Sequence, residues 1–161
     1  MRADIVTYNL LTETAEIAAE LTKAFPLVVP NSVSLAVGNF ITYSIIDTDA
    51  VTTKTSWNDY DRVKIQLSFF SSNYNDNKNL AALVRDKFDR FKGMVRVEDC
   101  EYHVDIIEFE NQEDLGFDAD NEVFMVAQDY QFSMFKKPPV LMVDTDEENR
   151  MDTNEVGEVV Y

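Results

Sequence analysis

Histidine and cysteine are the side chains that most readily do chemistry near neutral pH, and this chain has one of each, His103 and Cys100. Cys100 follows Glu98-Asp99 and precedes Glu101, and carboxylates so close disfavour the thiolate that a nucleophile requires. A lone cysteine closes no intrachain disulfide and anchors no cysteine metal cluster, which fits a reducing compartment such as a cytosol. His103 falls inside a strand pattern. A nucleophilic triad needs a base oriented by a third group. Serines and acids are plentiful, but there is no Gly-x-Ser-x-Gly elbow, and the chain has only 4 glycines. Neither the dinucleotide nor the P-loop glycine pattern is present. The Tyr74-Asn75-Asp76-Asn77-Lys78-Asn79 stretch has calcium-loop residue types without the central Gly or the closing Glu, so a solvated turn and helix cap accounts for it. With 30 acids in the chain, any carboxylate pair is a weak signal for glycoside chemistry. The residues predict no enzyme, no cofactor and no metal.

The acids matter in another way. Thirty Asp and Glu oppose 14 Lys and Arg, for a formal net charge of −16 and a pI near 4.2. Such a field repels nucleic-acid phosphates and argues against sequence-specific DNA binding, while a surface that DNA passes without adhering is allowed. The plain alternative is that the excess acid only keeps the protein soluble. Met1-Arg2-Ala3-Asp4 shows no signal-peptide pattern, and no apolar run approaches the ~20 residues that span a bilayer, so no membrane partner is expected. Hydrophobic residues make up 45% of the chain and aromatics 12%, enough to fill a core rich in Phe and Tyr.

The elements follow from periodicity. Ile17, Leu21, Ala24 and Phe25 predict a helix over Thr12–Phe25, with Thr12 as N-cap and Pro26 as its stop. Residues 27–39 read as a connector and Phe40–Ile46 as a strand. Residues 47–61, rich in Thr and Asp around Trp57, read as a long loop, and Trp57, Asp59 and Tyr60 are its candidate partner-contact residues. Val63, Ile65, Leu67 and Phe69 alternate with polar residues in a half-buried strand. A polar turn then leads to a helix over Asp76–Lys92, with Gly93 as its C′ residue. Val95–Val97 is a short strand and Glu101–Glu110 a longer one. Asn111–Asn121 reads as an acidic loop carrying Glu110 at its edge and Glu113, Asp114, Asp118 and Asp120, and Glu122–Phe135 closes the fold. The expected fold class is α+β: an antiparallel or mixed sheet of about four to five strands with two helices packed on one face. Lys136-Lys137-Pro138-Pro139 is a stiff break. It divides a domain over 1–135 from an acidic extension over 136–161. Within that extension Val140, Leu141, Met142 and Val143 form an apolar quartet suited to an inter-subunit arm that adds to a neighbour's sheet edge.

Element order and three segments together resemble the tail terminator (tail completion) family of long-tailed bacteriophages. The segments are the helix ending Lys23-Ala24-Phe25-Pro26, the strand Phe40–Ile45, and the strand–turn–helix unit Val63–Phe70 with Asn79–Phe88. The closing strand Asp129–Met134 also fits. The likeness spans about residues 10–135 and is one of element pattern. Thr42 precedes Tyr43 where the family often has Pro, and the tail after Pro139 has no family counterpart. The resemblance implies a structural virion protein of the tail or neck, made in the host cytoplasm. It implies a hexameric ring that caps the tail tube, ends its polymerisation and meets a head connector or stopper protein, with DNA passing through the lumen. Under that reading Glu110, Glu113, Asp114, Asp118 and Asp120 are candidate lumen or ring-face acids. The rival readings are another neck component, such as a head completion or stopper protein, and an acidic DNA mimic that occupies a basic groove on another protein.

Overall fold

The computed structural model describes residues 2–51 and 60–135. Along the chain it shows α1 (Ala3–Glu13), α2 (Ala15–Glu20), β1 (Lys23–Pro26), β2 (Asn39–Ala50), β3 (Tyr60–Ser71), α3 (Tyr74–Phe88), β4 (Gly93–Val97), β5 (Cys100–Asp118) and β6 (Val123–Phe135). The six strands form one mixed sheet in the order β1-β2-β3-β6-β5-β4, parallel at β1–β2 and antiparallel elsewhere. The α+β class is as expected; the sheet is larger than the expected four to five strands, and the described residues form three helices, not two.

Register sorts the side chains onto two faces. Ile41 lies opposite Phe69, Tyr43 opposite Leu67, Ile65 opposite Tyr130, and Val63 opposite Phe132. These residues are buried and form one core with Val6, Leu11 and Ile17 from α1 and α2 and with Leu80, Val84 and Phe88 from α3. The alternation in β3 holds residue for residue, because that strand sits mid-sheet with one face wholly covered. Helix α3 packs on β3, β6 and β5, whereas α1 touches β1 and β2 at one side of the sheet and β4 at the other. One helix reaches both outer strands because the sheet curls around it.

The opening of the chain corrects the expected Thr12–Phe25 helix. Thr14 is extended, at φ −76° and ψ 111°, and ends α1; α2 runs only to Glu20. Lys23–Pro26, expected as the end of a helix, is instead the outermost strand, a place where proline's missing N–H costs no ladder bond. Ahead of it, Ala3, Val6 and Leu11 supply the buried stripe of α1.

At the other helix, Asn73 is the N-cap of α3: its side-chain oxygen accepts from the backbone N–H of Asn75 at 2.9 Å and of Asp76 at 3.2 Å. The helix therefore starts in the stretch expected as a turn. It ends at Phe88, short of the expected Lys92, and Gly93 opens β4 at φ +144° rather than capping α3.

The largest correction concerns Asn111–Asn121, which is mostly strand. β5 continues to Asp118, paired with β6 throughout, and three register shifts leave Asp105, Glu110 and Leu115 as extra residues. Each bulge moves the following side chains to the other parity. Val104 and Ile107, of opposite parity, thus both lie in the core, opposite Met134 and Phe132.

Candidate functional site: the acidic outer face of the sheet

The face away from the helices is polar around Lys64, while Phe40, Phe70 and Met125 lie opposite one another at its other end. Asp47 and Asp49 on β2 lie opposite Lys64 and Arg62 on β3; Lys64 in turn lies opposite Gln131, and Gln66 opposite Asp129. Beyond β6, Glu108 pairs with Gln131 and Glu113 with Ala127, on the same face. Glu110, at a bulge, turns to this face too and accepts from Lys64 Nζ at 2.7 Å. That bond holds the Lys64 ammonium above its ordinary pKa. Gln66 Nε2 donates to Asp129 at 3.0 Å. Asp47, Asp49, Arg62, Lys64, Glu110 and Gln131 line one hollow of about 200 Å³. Asp47, Asp49, Glu108, Glu110, Glu113 and Asp129 thus share this face with Arg62 and Lys64, and Asp105, bonded to Tyr60, and the Glu101–Arg96 pair lie on it toward β4. The excess is negative and spread along three strands, and the hollow among these residues is shallow and open.

The five acids expected on one loop are therefore dispersed. Glu110 and Glu113 belong to the outer face. Asp114 lies opposite Val126 on the helix side, where it pairs with Lys78 of α3. Asp118 orders the β5–β6 turn: it accepts from the backbone N–H of Asp120 at 3.0 Å and from the Asn121 amide at 2.7 Å. The Asn121 amide lowers the Asp118 pKa by favouring the carboxylate. Asp120 is exposed at the same turn. Sequence reasoning missed Asp47, Asp49, Glu108 and Asp129. The signal for the last was available: Asp129 occupies the polar parity of a strand whose Tyr130, Phe132 and Met134 are all buried.

Tyr60 is the first residue of β3 rather than part of a loop. Its hydroxyl donates to Asp105 at 3.0 Å and its ring packs edge-on against Phe135 at 5.2 Å. Trp57, Asp59 and the quartet Val140–Val143 lie outside the described residues. His103 packs on Phe135 with ring centroids 4.8 Å apart, and its Nδ1 has no hydrogen-bond partner among the described residues. Cys100 is exposed at the start of β5. Among the described residues, no group of three His, Cys, Asp or Glu is placed to hold a metal, and no helix is long and apolar enough to cross a membrane.

No protein-family model and no curated protein matches this chain. Among solved structures, the fold is that of a chain in the virion of a native gene transfer agent particle. The TM-score is 0.61 at 15% identity, covering 80% of this chain and 90% of the other.

Proposed function

We propose that this chain is a structural virion protein of the tail terminator kind. In this reading its copies form a ring, hexameric by resemblance, on the end of a phage tail tube, stop tube growth and present a surface to the head connector. The observation that carries the proposal is the shared fold with a virion chain, which spans 90% of that chain and leaves little of it unmatched. The outer face supports it: a broad, shallow, negative sheet surface suits a wall along which DNA moves without adhering.

Removal of the gene followed by imaging of the particles is the test. Tails of abnormal length support termination. Normal tails that fail to join heads reject termination and place the protein at the head side of the neck, as a completion or stopper protein. Intact, infectious particles reject both. A stable one-to-one complex with a host DNA-binding protein, found instead, would identify a DNA mimic.

A further inference from the structure

Among the described residues, much of the outer edge of β5 has no strand partner. Its outer edge is covered by β4 from Cys100 to Val104. The segment after α3 then takes over: Arg90 N–H donates to the Ile107 carbonyl at 2.7 Å, Ile107 N–H donates to the Phe91 carbonyl at 3.0 Å, and the Asp89 carboxylate accepts from Phe109 N–H at 3.1 Å. From Asn111 to Phe117 no described strand lies on that side. Beside this open stretch a groove of about 640 Å³ lies between α3 and β5, lined by Lys78, Ala82, Arg85, Asp86, Asp89 and Gln112. On the open stretch itself, Leu115 and Phe117 leave 46% and 52% of their surfaces exposed. An open strand edge with exposed apolar side chains on the same strand is a site for an added strand.

We infer that this edge receives the segment Val140–Val143 of a second copy of the chain, running antiparallel to β5. Charge sets the direction. One end of the open edge is marked by Asp118 and Asp120 at the β5–β6 turn. The other end carries three cations against two acids: Arg85 lies over the Phe109 ring at 3.9 Å, Arg90 and Lys92 are exposed just beyond, and Asp86 and Asp89 line the groove beside them. The arm has the complementary order, Lys136-Lys137 before the quartet and Asp144, Asp146, Glu147 and Glu148 after it. Antiparallel addition sets lysines against acids at one end and acids against Arg85, Arg90 and Lys92 at the other.

Length makes the donor a second copy. Asn111–Phe117 pairs with Asp129–Phe124 of β6, so its Phe117 end lies roughly 36 Å along the strand from Phe135. Val140, a few residues past Phe135, reaches at most ~18 Å from it. The arm therefore cannot enter its own groove in this direction. The nearer edge, β4, lies two strands from the end of β6 and is within reach, which makes it the competing seat.

This inference rests on the assembly reading above, and one experiment separates them. In a Cys100→Ser background, one preparation carries Met142→Cys and another Leu115→Cys. The two full-length proteins are mixed at high concentration and oxidised, with mass by light scattering measured on the same mixture before oxidation. The expected product is a disulfide-linked heterodimer, in about tenfold excess over either homodimer and reduced about tenfold by Arg90→Glu with Lys92→Glu. Heterodimer no more abundant than the homodimers overturns the inference. So does a doubly substituted chain that links only within itself, or a Met142→Cys chain that links to Met94→Cys on β4 instead. Large assemblies without the Met142–Leu115 link overturn the arm and leave the ring standing. The link with no species beyond pairs supports the arm and goes against the ring.

Discussion

The side-chain amide of Gln128 donates to the backbone carbonyl of Ala81 at 2.9 Å, joining the middle of α3 to the centre of β6 where neither residue meets water. The same side chain accepts the Tyr130 hydroxyl at 2.7 Å through its oxygen. A buried polar group costs little only while its partners are in place. Gln128→Leu strands the Tyr130 hydroxyl and should lower unfolding free energy by about 1–3 kcal/mol. Adding Tyr130→Phe removes the stranded group, so the double variant should be less destabilised than the sum of the single ones. Urea unfolding of the four proteins reads this directly, and strict additivity would show that the pair is not coupled.

Burial raises the Tyr130 phenol far above its ordinary pKa; nearby Asp89 adds to the effect and Arg85 opposes it. The sign follows from proton binding. Above pH ~10 the unfolded chain releases this proton while the folded chain keeps it, so the stability this group contributes is complete below that pH and declines above it, by up to ~1.4 kcal/mol per pH unit. Tyr43, Tyr60 and Tyr102 are shifted the same way, chiefly by burial, and add to the decline. Urea midpoints measured from pH 9 to pH 11 should fall, and fall less steeply in Tyr130→Phe. Equal slopes would remove Tyr130 from the account.

Gly38 is held at φ +113°, and a Cβ there would meet Thr22 Oγ1 at 2.5 Å. That oxygen accepts from Asn39 N–H at 3.0 Å, at the point where β2 begins beside β1. Gly38→Ala therefore strains the backbone and disturbs a bond that sets the parallel register. A loss of about 1–3 kcal/mol is expected. Gly116, also at positive φ but with no atom near its missing Cβ, should lose less on the same change. Thermal melts of the two alanine variants compare them, and the reverse order would place the strain elsewhere.

What the sequence reveals of this fold depends on how much of each element is covered. β3 is legible because Val63, Ile65, Leu67 and Phe69 all meet the core, so burial writes a period of two into the chain. The outer half of β5 carries no such record. Glu110 to Phe117 is exposed on both faces and interrupted by bulges at Glu110 and Leu115, so its composition is that of a loop although its backbone is paired. The start of the chain misleads for a different reason. Ala24 and Phe25 continue the apolar spacing of Ile17 and Leu21, but they are buried from a strand, not a helix. The acidic face was half visible: its charge could be counted, but the residues that share it come from β2, β3, β5 and β6, and only register brings them together.

That dispersal sharpens the test of the acids. If the outer face lines a channel for DNA, Glu108, Glu110 and Glu113 are the side chains to reverse, whereas Asp114 and Asp118 serve the fold, through Lys78 and through the β5–β6 turn. Glu108→Lys, Glu110→Lys and Glu113→Lys together should leave assembly intact and reduce DNA delivery by at least about tenfold, because phosphates would adhere where they now slide. The Glu110 change also sets a cation beside Lys64, which loses its present carboxylate partner. Added salt should weaken retention of DNA on isolated variant assemblies, as screening of phosphate contacts requires. Asp114→Lys with Asp118→Lys should instead lower thermal stability and leave delivery per assembled particle unchanged. Counting assembled particles by microscopy and delivered genomes by titre separates the two. If both sets of variants deliver DNA equally well, the outer face does not meet DNA, and its acids serve solubility alone.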